Sequence, residues 1–331
     1  MRPLFAKIVV FALLAVAAPA LAGDKIQIKM GTVAPQGTVW HKAMLEMAEV
    51  FGEESGGQVE LKVYAGVVGD EATIVRKLRI GQLQGAALTQ LGLGELEPDI
   101  LTISLPFLVR DEGELDLLLE AGRSRYADMF AAKGYVLAAL PKAGWVHFFA
   151  RQAVVRPDDL RRLKLAVPGD DPQFVEIWRR LGFNAFSLSI NDLLAGLQSG
   201  MADACYAPLL AAASFQWFGA VRYMPSMPVA PVLGGILFSQ AALAEVPDEL
   251  RPPLLEAFRG LERRLDARMA ALEEEALAAM RRHGLEVVPV SPEAAAQWRE
   301  LASSGAGLVI GRSISRESYD WARGILERYR R

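Results

Sequence analysis

Residues 156–203 read RPDDLRRLKLAVPGDDPQFVEIWRRLGFNAFSLSINDLLAGLQSGMAD. The apolar run at 164–167 reads as a strand, and the segment 172–181, which carries Trp178, as a helix that stops before Gly182. A second strand over 184–188, a second helix over 191–199 and a third strand over 202–206 complete the stretch. Strands separated by helix-length segments imply parallel pairing with helical crossovers, so the fold class is α/β.

The same rhythm precedes this stretch. Lys25 to Met30 alternates polar and apolar residues, residues 39–53 place Trp40, Met44, Met47 and Phe51 at helical spacing, and residues 58–64 alternate again. A helix over 70–80 presents Ile74, Val75 and Leu78, Gly81 ends it, and residues 85–89 form a short buried strand. Residues 143–150 read as extended. From 248 to 282, Leu254, Phe258, Leu261, Leu265, Met269, Leu272, Ala276 and Met280 recur every three or four residues. Pro252-Pro253 fits the first turn of this helix and His283-Gly284 its stop. Two α/β units without a low-complexity linker suggest two lobes around a cleft, joined by strands.

Composition narrows the function. The chain has 331 residues, enough for more than one average domain, and a formal net charge of −3. That charge argues against nucleic acid or an anionic membrane surface as partner. Arg2 and Lys7, an apolar run over 8–18 and Ala20-Leu21-Ala22 read as a signal peptide over 1–22, cleaved near Ala22-Gly23, which predicts export to the periplasm. Cys205 is the only cysteine, so no internal disulfide forms, and the three histidines show no metal-ligand spacing. No nucleophile elbow, Cys–His pairing or phosphate-binding glycine loop appears, so the chain reads as no enzyme and implies no cofactor.

Several runs carry a family resemblance. Pro157, Asp159, Leu160, Leu163, Lys164, Val167 and Pro168, followed by Leu181, Gly182, Leu197, Gln198, Gly200 and Asp203, match in order the central signature of the DctP-type substrate-binding proteins of TRAP transporters. Gly31 to Gly37, Ser55 to Val59 with Val63-Tyr64, Gly69-Asp70-Glu71, Leu78 to Gly81 and Leu105 to Leu108 extend the likeness over about 200 residues. The resemblance implies a two-lobed periplasmic-binding-protein fold with a central cleft, hinge strands and a long helix spanning both lobes. Lobe 1 would take 23–145 plus about 233–260, lobe 2 146–232 plus about 284–331, with the bridging helix at about 248–283. It also implies a small-molecule ligand and TRAP membrane permease subunits as partners.

The resemblance fails where the ligand is usually gripped. The family's carboxylate-binding arginine falls on Ala166, an upstream arginine on Val146, and an asparagine on Ala207. An arginine suits a carboxylate because its planar fork matches two oxygens. Trp40, Gln90, Trp145, Phe148, Ile190 and Tyr206 complete the candidate ligand residues, aromatic and apolar apart from Gln90. A carboxylate buried without a partner costs several kcal/mol, whereas about 200 Å² of buried apolar ligand surface contributes roughly 5 kcal/mol before ordering costs. These substitutions predict a neutral or largely apolar ligand. The alternative is an organic acid held by a relocated cation, with Arg151, Arg156, Arg76, Arg79 or Lys142 as candidates. A ligand sensor, or a hydrophobe carrier working with a periplasmic helical-repeat protein, are further readings.

Overall fold

The structure, a computed structural model, describes residues 25–168, 172–189 and 192–331. The expected leader and Ile190 fall outside the described residues. The chain begins with β1 (Ile26–Thr32), α1 (Val39–Glu54), β2 (Val59–Ala65), α2 (Glu71–Arg79), β3 (Gly85–Thr89) and α3 (Gln90–Leu96). The first three helices are each started by a side chain. Thr38 accepts from the His41 amide, Asp70 from Thr73 and Thr89 from Leu91, satisfying donors that a helix N-terminus leaves free. Then follow α4 (Glu112–Ala131), β4 (Tyr135–Ala139) and the long β5 (Lys142–Ala150).

The second unit contains α5 (Pro157–Arg161), β6 (Lys164–Pro168), α6 (Pro172–Arg180), β7 (Asn184–Leu188), α7 (Leu193–Ser199), β8 (Ala204–Pro208), α8 (Leu209–Ser214) and β9 (Tyr223–Pro225). The chain returns along β10 (Ala230–Ser239) into α9 (Gln240–Glu245) and α10 (Arg251–Arg282). It ends with β11 (Glu286–Val288), α11 (Pro292–Ala306) and α12 (Arg316–Tyr329).

The main path of the sheet runs β2-β1-β3-β10-β5-β8-β6-β7. Within each unit the pairing is parallel, β1 with β2 and β3, and β6 with β7 and β8, as the strand–helix rhythm implies. At the junction it is antiparallel: β10 with β3, β4 and β5, and β5 with β8. The reason is topological. The chain leaves the first unit on β5 and comes back on β10, so the two hinge strands must run in opposite directions.

Side chains alternate across this sheet into separate cores. In the first unit, Ile28, Met30, Phe51, Phe238 and Phe258 pack on the α1 and α10 side, and Ile74, Leu88, Leu93, Leu118 and Leu237 on the side of α2, α3 and α4. In the second, Phe148, Leu165, Val167, Trp178 and Trp298 share one face, and Phe149, Ala166, Leu197, Cys205 and Trp217 the other. Helix α10 serves both units. Its 32 residues span on the order of 48 Å. Leu254 to Leu265 enter the first core and Met280 the second. The fold is thus α/β and two-lobed, with hinge strands and a bridging helix.

Three α10 carboxylates hold the entry to β5. Glu262 Oε2 accepts from the Leu140 amide at 2.9 Å, Asp266 Oδ1 from Lys142 at 2.7 Å and Glu273 Oε1 from Trp145 at 2.9 Å. Gly144 lies between them at φ +96°, and a Cβ there would meet the Glu273 carboxylate. Burial pushes the Asp266 carboxyl up to about 6, against the Lys142 amide bond and charge. On β5 itself, burial pushes the His147 imidazole down to about 4, against a hydrogen bond to the Pro225 backbone.

Two outcomes follow from the hinge. Gly144→Ala should cost more than about 1 kcal/mol in urea unfolding, since the position combines a left-handed backbone with a blocked Cβ; wild-type stability would contradict this packing. The pH dependence has two opposed parts. Asp266 is raised, so its contribution is full below its unfolded value and lost as pH rises through about 6. His147 is depressed, so its contribution is full above its ordinary 6.5 and lost as pH falls through about 4. Between roughly pH 4 and 6 the slopes oppose. Asp266→Asn should then gain stability as pH rises through this window, and His147→Gln should lose it. Two unchanged profiles would refute both assignments.

Candidate ligand site between the lobes

The sequence-marked residues fall on different surfaces. Ala166 and Ala207 lie fully buried on the sheet face covered by α7 and α8, with Phe149, Leu193, Leu197 and Cys205 around them. Burial pushes the Cys205 thiol up, which keeps it protonated and inert. Phe148 and Tyr206 face the opposite way, directly across the β5–β8 pair, with ring centroids 5.7 Å apart. Trp178, Phe183 and Trp298 close an aromatic cluster around them. Val146 is buried in β5 opposite Pro208 and Ala230. The structure therefore does not bring Ala166 and Ala207 onto one surface with Phe148 and Tyr206.

The remaining candidates sit along the hinge. Trp145 is held by its amide on Glu273 and by its indole N–H, which donates to Glu112 Oε2 at 2.9 Å. Trp40 is half-buried with its ring against Gly234 of β10. Gln90 stands at the C-terminal end of β3, where α/β sheets present ligand sites, and accepts from Ser104 Oγ at 2.8 Å.

The cations expected as relocated anchors are placed as follows. Arg151 donates to the Leu197 and Gln198 carbonyls at the end of α7, which satisfies helix C-terminal acceptors. Arg79 does the same at Glu95 of α3, at 2.6 Å. Lys142 pairs with Glu112 and Asp116 at 2.5 and 2.8 Å. Arg76 and Arg156 are solvent-exposed. Lys164, read as structural, donates to the Gly200 carbonyl and pairs with Asp203 at 3.8 Å.

A different group of cations surrounds a cavity of about 310 Å³. On one side lie the start of α3, the segment 101–110 and α12; on the other lie α6 and α11. The cavity straddles the two units, and its volume falls in the range of small-molecule sites. Leu105, Phe107, Ile177, Trp178, Leu181 and Ile314 are among its walls, and Arg110, Arg299, Arg323, Arg330 and Glu327 supply its charges. Gln90 lines it as well, alone among the sequence candidates that are described.

Two features hold the walls. Phe107 adopts φ +58°, a left-handed backbone that a bulky side chain rarely takes. Its amide donates to the Val229 carbonyl at 2.6 Å, and its ring packs 5.4 Å from Trp298, so the loop of one unit enters the core of the other. Helix α12 is fixed by Asp99, which accepts from the Ser315 amide at 2.6 Å and from the Ser318 hydroxyl at 2.8 Å.

The charges differ in how they are paired. Arg330 forms a bidentate contact with the buried Glu114, both bonds 2.6 Å, and donates to the Leu108 carbonyl. Arg323 is shared between Asp320 and Glu327. Among the described residues the guanidinium groups of Arg110 and Arg299 make no ion pair or side-chain hydrogen bond. Partial burial, then the charges of Arg330 and Arg299, hold Arg110 below its ordinary value. Sequence reasoning missed this group. Arg110 follows Leu105-Pro106-Phe107-Leu108 closely enough to be noticed there, but nothing in the pattern around Arg299 links it to that run.

These features define a two-lobed α/β protein with a cavity of small-molecule size at the junction of its lobes. Residues 30–305 match the family described as DctP, bacterial extracellular solute-binding protein, family 7. The chain belongs to this family. A solved TRAP periplasmic solute-binding protein from Ochrobactrum anthropi, with its C-terminus bound in the ligand pocket, superposes with a TM-score of 0.83. It shares 20% identity and covers 92% of this chain and 96% of that one. One from Xanthobacter autotrophicus Py2 with bound β-D-galacturonate gives 0.76 at 19% identity, covering 90 and 99%. DctP7 of Bordetella pertussis, which binds pyroglutamic acid, gives 0.77 at 18%, covering 92 and 99%. At these identities the likeness shows the fold. The aligned part spans between 49 and 60% of the length of the curated relatives matched by sequence.

The burial of Ala166 predicts that restoring the family's arginine fails. Ala166→Arg should destabilise the protein by about 3 kcal/mol or more, through overpacking and an unpaired buried charge. Urea unfolding measures this, and a loss below about 1 kcal/mol would mean that the side chain finds open space beside β6.

Proposed function

We propose that this protein is an extracytoplasmic receptor that captures an organic acid and delivers it to a TRAP-type permease, with the acid held by cations displaced from the family's usual positions. The single observation that supports this most is the interlobe cavity with its two unpaired arginines. The acids in the galacturonate and pyroglutamic acid neighbours agree with it. The loss of the family anchors at Val146, Ala166 and Ala207 first suggested a neutral ligand. Among the two readings, the cations of the cavity favour the acid, because a carboxylate can form charge-assisted hydrogen bonds with the Arg110 and Arg299 guanidinium groups that a neutral occupant cannot.

On this reading the leader over 1–22 is removed near Ala22-Gly23 and the mature chain works in the periplasm. The first lobe takes 23–145 plus about 233–260, and the second 146–232 plus about 284–331. The hydrophobe-carrier alternative, with a helical-repeat partner, has no support in the fold or the likenesses.

A thermal-shift screen tests the ligand class. Ligand-stripped protein is heated with D-galacturonate, pyroglutamate, 3-phenylpropionate, octanoate and the neutral amides of each. A ligand at about 100 times its Kd adds roughly 2.7 kcal/mol, a rise of a few degrees in Tm. At least one acid should stabilise and its amide should not. Stabilisation by neutral compounds with no response to any acid would reject the proposal.

A further inference from the structure

The cavity also carries information about the body of the ligand, and this rests on the organic-acid reading above. We infer that Arg110 and Arg299 grip the carboxylate of an acid whose remaining part is apolar, an aryl or alkyl chain lying against Phe107, Ile177, Trp178 and Leu181.

The anionic end follows from charge. Among the described residues, four arginines and one glutamate line the cavity. Glu114 engages Arg330, and Glu327 and Asp320 engage Arg323. Arg110 and Arg299 then feel each other's charge, and although the Glu114 and Asp111 carboxylates act on Arg110 from a distance, neither guanidinium makes an ion pair among the described residues. Arg110 is solvent-exposed and Arg299 half-buried, which puts them where an entering anion meets them first. One carboxylate has two oxygens and about four acceptor sites, enough to serve both forks at once.

The apolar body follows from the walls. A sugar acid brings a hydroxyl on nearly every carbon, and each hydroxyl that loses water needs a partner. Apart from the charged groups, Gln90, Ser104, Trp178, Ser303, Ser313 and Tyr319 are the lining side chains with polar ends among the described residues, and Gln90 and Ser104 already bond each other. The rest of the lining is aliphatic or aromatic. An aryl or alkyl chain gains by burial against it, whereas a polyhydroxylated chain would leave most of its hydroxyls unmatched.

Calorimetry on the ligand-stripped mature chain tests this with 3-phenylpropionate, octanoate, 3-phenylpropanamide, D-galacturonate and pyroglutamate. The apolar acids should bind at least about tenfold tighter than D-galacturonate or pyroglutamate, and the amide at least tenfold more weakly than its acid. Arg110→Gln and Arg299→Gln should each weaken 3-phenylpropionate about tenfold or more, with Arg299→Lys retaining part of the affinity. Ser303→Trp, an exposed substitution at the cavity, should reduce binding while leaving Tm unchanged, which separates occlusion from misfolding. If D-galacturonate or pyroglutamate binds tightest, or the arginine variants bind as wild type does, this inference falls and the organic-acid receptor stands. If none of the acids binds, both fall.

Discussion

The grip of α10 on the backbone between β4 and β5 is the constraint on which the two-lobed arrangement rests. Where the chain leaves the first unit, the Leu140, Lys142 and Trp145 amides are met by carboxylates of Glu262, Asp266 and Glu273. These acids recur at spacings that keep them on one side of a helix. Burial raises the Asp266 and Glu273 carboxyls, so the helix accepts an electrostatic cost to satisfy these amides. Because α10 also inserts Leu254 to Leu265 into one core and Met280 into the other, this grip sets how both units sit on a common spine. Gly144 is part of the same device, since the close approach of Glu273 leaves no room for a Cβ.

The cavity depends on that arrangement and on two further ties. Phe107 reaches from the first unit onto Trp298 of the second, and α12 is drawn to the first unit by Asp99 and by the Arg330–Glu114 pair. Glu114 has a side-chain exposure of 3% and engages Arg330 in a bidentate contact while also accepting from the Arg110 amide at 2.8 Å. One buried carboxylate therefore fixes the C-terminus of the chain and the backbone that carries Arg110. The pairing neutralises Arg330 and leaves the neighbouring side chain free. A site built in this way obtains its unsatisfied charge from the order in which acids and bases are matched, not from an excess of basic residues in the whole chain, whose net charge is −3.

Much of the fold was legible. The strands at β1, β2, β3, β6 and β7 and the helices α1, α2 and α10 follow from period, caps and glycine stops. Expected and observed limits differ by at most about three residues, and element ends are the least certain part of such readings. Strand β10 was not legible, because APVLGGILFS contains a proline and paired glycines that read as interruptions. Yet those glycines are what Trp40 and Leu93 pack against, so tertiary contact explains them. The candidate site was legible only at Gln90. Alignment to a family motif marks a sequence position, but which sheet face that position occupies here is set by its neighbours in β5, β6 and β8. Arg110 and Arg299 lie far apart in the chain and meet only through the packing of the 101–110 segment against α11.

The Ala166 face explains why the binding charge would move rather than disappear. Phe149, Leu193, Leu197 and Cys205 close around Ala166, and Ala207 shares that enclosed surface. In such surroundings a guanidinium would lose its water and gain no carboxylate in return, a balance that costs several kcal/mol. Small apolar residues at 166 and 207 let the core close. A cation that must meet a charged solute needs to keep part of its hydration until the solute arrives, and the exposed Arg110 and half-buried Arg299 allow this. The same physical requirement, paired charge when buried and hydrated charge when not, accounts for alanine at the inherited positions and arginine at the lobe junction.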